Sequence, residues 1–265
     1  MEKGKNILKG KRILIFQQRS WGLGIGHFLA RKLAAEGCKL AAVTFKPSTS
    51  DFIARQKEVK YELIINDDEV TSSPKSYLSG EQYSLEEICA EVGVDSVWPL
   101  IHTVRNFVKS YGGKYYYSFK QNVPDEMMTD YVKAVYKYLK RIFNEFRPDA
   151  VLAPNFVVLP FIMCNLMAEK RGIKMIAVTD SKITGRLVFS EGYRDDRGEF
   201  CERIDALNSG VAQTQNRPSA RDYIRAFREN FIKHDHAVDP DRKKTLWQRV
   251  RHELATYYHI LRWFL

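Results

Sequence analysis

Short apolar runs alternate, over the first two thirds of this chain, with stretches whose apolar residues recur every three or four positions. Five runs read as strands: Arg12–Phe16, Leu40–Phe45, Tyr61–Ile65, Ala150–Ala153 and Met175–Val178. They are near-continuous rather than alternating, which is the pattern of parallel strands covered on both faces. Between them, helical periodicity predicts helices over Ile25–Glu36, Ser50–Lys57, Asp125–Phe146 and Val157–Arg171, with Gly37 and Gly172 placed to end two of them. Ser84-Leu85-Glu86-Glu87 has the capping-box form and predicts a helix to about Val92. Strands alternating with helices predict an α/β fold, a Rossmann-like doubly wound parallel sheet.

Two stretches depart from this alternation. Asp95–Val123 carries Trp98-Pro99, Gly112-Gly113 and Tyr115-Tyr116-Tyr117, and reads as a helix followed by an irregular aromatic insertion. Such an insertion is either functional or a surface excursion that covers a sheet edge. Past Val178, Thr179–Gly198 reads as a polar loop, followed by helical patterns over Glu199–Asn208, Ser219–Lys233 and Arg242–Phe264. This predicts an α/β domain over 1–215, with the insertion near 95–123, and a helical tail over 216–265. The apolar pattern of the last helix runs to Leu265 without a cap or polar tail, as expected for a truncation or a crossover into a second domain.

Composition narrows the class. An apolar fraction of 45% with 12% aromatics belongs to a folded chain. A formal charge of +10 favours an anionic partner: a phosphorylated substrate, an acidic leaflet or nucleic acid; a merely basic surface is the alternative. No nucleic-acid-binding module is visible. Cys38, Cys89, Cys164 and Cys201 form no C-x-x-C pair, which predicts reduced, buried thiols in a cytoplasmic protein. The run ending at Phe16 is too short for a signal-peptide core, and Phe156–Cys164, broken by Pro160, is too short to span a bilayer. These features predict a soluble protein, or one attached at the inner membrane face.

The candidate chemistry starts where the first strand meets Trp21-Gly22-Leu23-Gly24-Ile25-Gly26-His27. A glycine-rich turn between strand and helix aims backbone N–H groups at a ligand above the sheet. A dinucleotide site is disfavoured, because His27 stands where its third glycine belongs and the second strand ends Val43-Thr44-Phe45-Lys46 without a carboxylate. The Gly-Lys-Ser/Thr of a P-loop is absent, and where a methyltransferase would place carboxylates, after the second strand and just before the loop, this chain has Thr44 and Ser20. No tightly bound cofactor is therefore expected. His27, read in the first helical turn, has two roles open to it: a neutral base for a substrate hydroxyl, or a hydrogen bond that shapes the loop.

The loops at the carboxyl ends of the later strands add Asn155, Thr179, Asp180 and Lys182, which converge with Gly22, Gly24 and Gly26 on one crevice. Asp180 could orient a sugar hydroxyl or His27, or merely cap the next turn. Lys46 and Lys182 could meet a phosphate or be solvated surface charge. No metal site is predicted: His234-Asp235-His236 offers two histidines without a third ligand, and His252 and His259 share one helix face beside Trp263. Arg242–Leu265 is basic and amphipathic. It could lie on an anionic leaflet or pack on a further domain.

The run Gly26-His27-Phe28-Leu29-Ala30-Arg31-Lys32-Leu33-Ala34-Ala35-Glu36-Gly37, leading to a strand that ends near Thr44, resembles the opening of the acceptor-side domain of GT-B glycosyltransferases. Trp21-Gly22, Thr44-Phe45-Lys46-Pro47-Ser48, Lys114-Tyr115-Tyr116-Tyr117-Ser118-Phe119, Phe146-Arg147-Pro148-Asp149, Arg171-Gly172-Ile173-Lys174 and Leu207-Asn208-Ser209-Gly210 narrow the likeness to bacterial capsular and surface polysaccharide biosynthesis proteins of that fold. The resemblance implies sugar transfer from a nucleotide-sugar co-substrate to a glycan or lipid-linked acceptor. It implies donor binding by a second domain or chain, since no second set of strands follows here. An enzyme is thus expected only in company with a donor-binding half. A non-catalytic subunit that binds the glycan or a partner is the alternative.

Overall fold

The computed structural model describes residues 7–108, 123–181, 183, 185–194, 196, 198–231, 247, 250 and 254. Six strands, β1 Arg12–Gln18, β2 Lys39–Phe45, β3 Tyr61–Asn66, β4 Ala150–Ala153, β5 Lys174–Asp180 and β6 Leu187–Ser190, form one sheet in the order β3-β2-β1-β4-β5-β6. The first five are parallel, as a doubly wound α/β sheet requires, and β6 runs antiparallel to β5.

The helices, in chain order, are α1 Arg19–Trp21, α2 His27–Ala35, α3 Pro47–Arg55, α4 Asp67–Ser72, α5 Pro74–Leu78, α6 Leu85–Val92, α7 Trp98–Ile101, α8 Arg105–Val108, α9 Asp125–Arg141, α10 Leu159–Lys170, α11 Glu199–Asn208 and α12 Arg217–Glu229. A π-helical turn, Gly22–Gly26, joins α1 to α2, and a second, Ile142–Phe146, extends α9. Met1–Glu202 and Arg203–Leu265 are two compact units.

Burial explains why these residues form these elements. One face of the sheet offers Leu14, Phe16, Val43, Phe45, Val151 and Met175 to α6, α9 and α10. Phe161 of α10 meets the rings of Phe16 and Phe45 edge-on at 4.9 and 5.0 Å. Most of α10 is buried, so it shows no polar stripe; a helix apolar on all sides belongs in the interior. The opposite face buries Ile13, Ile15, Leu40, Ala30 and Val59, with Trp21 and Leu33 against them. In α6, Ser84 Oγ accepts from Glu87 N at 3.0 Å, as the capping-box sequence predicts.

Several boundaries differ from the sequence reading. The 179–198 segment is not wholly a loop: Leu187–Ser190 pairs with β5, with Val178 opposite Phe189. Its three apolar residues are too few to signal a strand; the hairpin with β5 makes it one. Cys164 alone among the cysteines is buried, its thiol pushed up by loss of solvent; the other three are half-buried. Lys114–Phe119, Lys182, His234, His236, His252 and His259 lie outside the described residues. So does most of Arg242–Leu265, except Trp247, Val250 and Leu254, which are helical and exposed.

Phe146-Arg147-Pro148-Asp149 turns out to be a joint. Arg147, at φ 51°, ends the helical run. Asp149 then accepts from Arg12 N at 2.8 Å and Lys11 Nζ at 3.0 Å, bonds that hold its carboxyl below the usual range. The motif registers β4 beside β1.

Candidate functional site

In this strand order the chain leaves β1 toward β2 on one side and returns as β4 on the other. The strand order thus reverses between β1 and β4, and in open α/β sheets ligands usually bind beyond the carboxyl ends of the strands at such a point. Two basic residues stand at this edge with unusual backbones. Arg19 follows β1 at φ 50°, and Lys46 follows β2 at φ 77°. Both are exposed. A non-glycine residue in this region costs on the order of 1–3 kcal/mol and persists only where its surroundings fix it.

The surroundings do fix them. Thr49 Oγ1 donates to the Arg19 carbonyl at 3.2 Å. Thr49 N and Ser50 N donate to the Lys46 carbonyl at 2.9 and 3.0 Å, which starts α3. The Lys46 N–H donates to the carboxylate of Asp68, whose pKa burial raises against the pull of the Lys46 charge. Behind them, Ser50 Oγ lies 3.0 Å from Thr44 Oγ1 and 3.1 Å from Asn66 Oδ1, with one proton to share. The carboxyl edge of β2 and β3 is thus tied together by hydroxyls and amides.

The glycine-rich segment is not an open cradle. The helical run starts at Arg19, so Gly22–Gly26 lies inside it as the π turn. Gly22 and Gly26 have φ of −64° and −62°, ordinary helical values. The glycines serve close packing instead. A Cβ on Gly22 would sit 2.9 Å from both the Gln17 backbone and the Thr49 methyl. One on Gly26 would fall 2.1 Å from Gln17 Oε1 and 2.5 Å from the Trp21 ring. Gly24 alone of the three has open space around it.

His27, though the first residue of α2, is likewise not in the first turn of the continuous helical run. It lies eight residues beyond Arg19, about 12 Å along the helix at the usual rise. There it is buried, edge-on to Phe52 at 4.9 Å, with Nε2 2.8 Å from Glu58 Oε2 in the loop after α3. The His27 hydrogen bond holds the Glu58 carboxyl below its ordinary pKa. A ring whose Nε2 faces a carboxylate carries its proton there, and the remaining Nδ1 is buried without a partner. The dipole argument for a neutral base at the sheet edge falls with the first-turn placement.

The later strands place the remaining candidates as follows. Asn155, just past β4, accepts from Val157 N at 3.1 Å and so shapes the turn into α10. Thr179 and Asp180 are the last two residues of β5, paired with Val188 and Leu187. Trp21, missed as a site residue, donates from Nε1 to the Val178 carbonyl at 3.0 Å and so ties the start of the helical run to β5. The structure brings Arg19, Asn155, Thr179 and Asp180 to the ends of three adjacent strands. It does not bring His27 there.

No known family model matches this chain, and neither a curated protein nor a solved structure matches it significantly.

Two further features bear on chemistry. A shallow cleft of about 590 Å³ lies on α4, α5 and α9, lined by Ser72, Ser76, Tyr77, Lys137 and Arg141. Lys137 there donates to the carbonyls of Tyr77 and Leu78, both at 3.0 Å, and pairs with Glu81 at 2.8 Å, so its cation closes the end of α5. Among the described residues no cluster of three or more His, Cys, Asp or Glu could hold a metal ion.

Proposed function

We propose that this chain is the acceptor-side domain of a GT-B glycosyltransferase in capsular or surface polysaccharide assembly, and that it holds an anionic acceptor glycan, free or lipid-linked, at the carboxyl edge between β1 and β4. The observation that carries the reading is Arg19. Its backbone is left-handed, its cation opens a helical run against the dipole, and it stands at the switch point of the sheet. Two unfavourable local choices at one residue, at the switch point of the sheet, mark a position kept for something other than stability. A phosphate or carboxylate on the acceptor repays them, with Lys46 as the second cation.

In the reaction the acceptor hydroxyl attacks the anomeric carbon of a nucleotide sugar, the bond to the diphosphate breaks, and the hydroxyl proton passes to a base. The nucleotide sugar comes through a second domain or chain. Asp180, at the end of β5, is the carboxylate this reading assigns to that proton. His27 instead fastens α2 to the α3–β3 loop.

The test is calorimetric titration of a soluble glycosyl phosphate into the full chain and into Arg19→Gly and Lys46→Gly, which suit the positive φ and remove the charge. Each variant is expected to bind at least tenfold more weakly. Equal affinity in all three chains overturns the assignment.

A further inference from the structure

The helix α12 has no buried residue. Tyr223, Ile224 and Phe227 are each 42–47% exposed, and Phe231, just past its end, is 69% exposed. At about 100° per residue Tyr223, Ile224 and Phe227, with Ala220, fall in one stripe about 100° wide, and Phe231 packs on its end against Phe227. The stripe is an ordered surface: the Tyr223 and Phe227 rings stack at 6.3 Å, and Phe231 meets Phe227 edge-on at 5.2 Å.

The charges on α12 are sorted by sign around that stripe. Arg217, Arg221, Arg225 and Arg228 all fall on one flank, within about 80°. Asp222 and Glu229 fall on the face opposite the stripe, where Asp222 reaches Arg225 at 3.4 Å. A helix that packs on protein can be rimmed by either sign, whereas one lying in a lipid interface keeps cations at its waterline and carboxylates away from it. The surrounding sequence repeats the bias: Arg203–Leu265 holds twelve Lys and Arg against seven Asp and Glu.

We infer that α12 lies in the interface of an anionic bilayer, with Tyr223, Ile224, Phe227 and Phe231 in the acyl boundary and the four arginines among lipid phosphates. The inference is carried by α12 alone and does not depend on the glycan reading. It moves the membrane contact from the 242–265 segment, where the sequence pattern puts it, to a helix whose faces are described.

The test is sedimentation of the full chain with sugar-free vesicles, either pure phosphatidylcholine or phosphatidylcholine with one third phosphatidylglycerol. Binding is expected only to the second, and is expected to weaken with salt. An interfacial arginine contributes about fivefold to binding. The triple variant R221Q/R225Q/R228Q is therefore expected to bind about a hundredfold more weakly, and the triple lysine variant to bind as the parent does. Phe227→Ser should weaken binding with the helical circular dichroism unchanged. Equal binding to both vesicles, no binding, or binding unchanged in the glutamine variant overturns the inference. So does a dimer in light scattering that Phe227→Ser dissolves, which would give the stripe to a second copy of the chain.

Discussion

Replacing Arg19 by glycine removes a long cationic side chain from a strand-to-helix corner, and should make the protein more stable. A left-handed backbone costs an L-residue about 1–2 kcal/mol, and glycine escapes that cost. A cation in the first turn of a helical run opposes the dipole by about 0.3–1 kcal/mol, and glycine removes that too. Against these stands the extra freedom of glycine in the unfolded chain, about 0.5–1 kcal/mol. The bond from Thr49 Oγ1 to the residue 19 carbonyl involves only backbone on this side and survives. The net is a gain of about 1 kcal/mol, read as a higher urea midpoint with an unchanged slope. Arg19→Val, a β-branched residue that tolerates positive φ poorly, should fall below the parent. An Arg19→Gly chain less stable than the parent by 1 kcal/mol or more would refute the reasoning. The arginine would then be a structural residue, and its two unfavourable features would need no ligand to explain them.

Other outcomes follow from the packing. Asp67 is fully buried and accepts from Tyr131 at 2.9 Å, Tyr138 at 3.0 Å and Thr71 at 3.2 Å; burial outweighs these bonds and lifts its pKa to about 6. The folded chain therefore holds this proton when the unfolded one has lost it. Stability should fall by about 3 kcal/mol as pH rises from about 4 past 6. Urea melts of Asp67→Asn should lack this slope, and an identical slope in both chains would contradict the assignment. Gly24→Ala should raise the unfolding free energy by about 1 kcal/mol, since its Cβ meets nothing within 4 Å. Gly26→Ala should lower it by about 1–3 kcal/mol through the clash with Gln17 and Trp21. Similar effects at both positions would undo the packing account of the glycines. His27→Ala should lower the melting temperature while leaving glycosyl phosphate affinity within twofold, whereas a large loss of affinity would return His27 to the site.

The central strands were legible because β1 and β2 are buried on both faces and β4 and β5 on one face with partial cover on the other, so burial wrote itself into the chain as unbroken apolar runs. The long helices were legible for the same reason, through period and caps. The start of the first helix was not. Gln18-Arg19-Ser20 carries no capping side chain, and the π turn shifts the apolar phase, so the periodic pattern becomes visible only from Ile25. That delay placed His27 at the start of the helical run, which in fact begins at Arg19, and made packing glycines look like a cradle. The left-handed Arg19 and Lys46 left no trace in the sequence, because residues in such conformations are ordinarily glycine or asparagine. Trp21 was visible as an aromatic beside the glycines. Its bond to Val178 depends on β5 lying two strands away, which only the topology supplies.

The most direct measurement of the central claim is a backbone-amide NMR titration of the full chain with a soluble glycosyl phosphate. The account predicts shift changes concentrated at 18–22, 154–156 and 179–181, with Lys46 among them and Arg31 to Ala35 unmoved. Changes centred on the serine cleft around Ser72 and Lys137, or no changes at millimolar ligand, would contradict it.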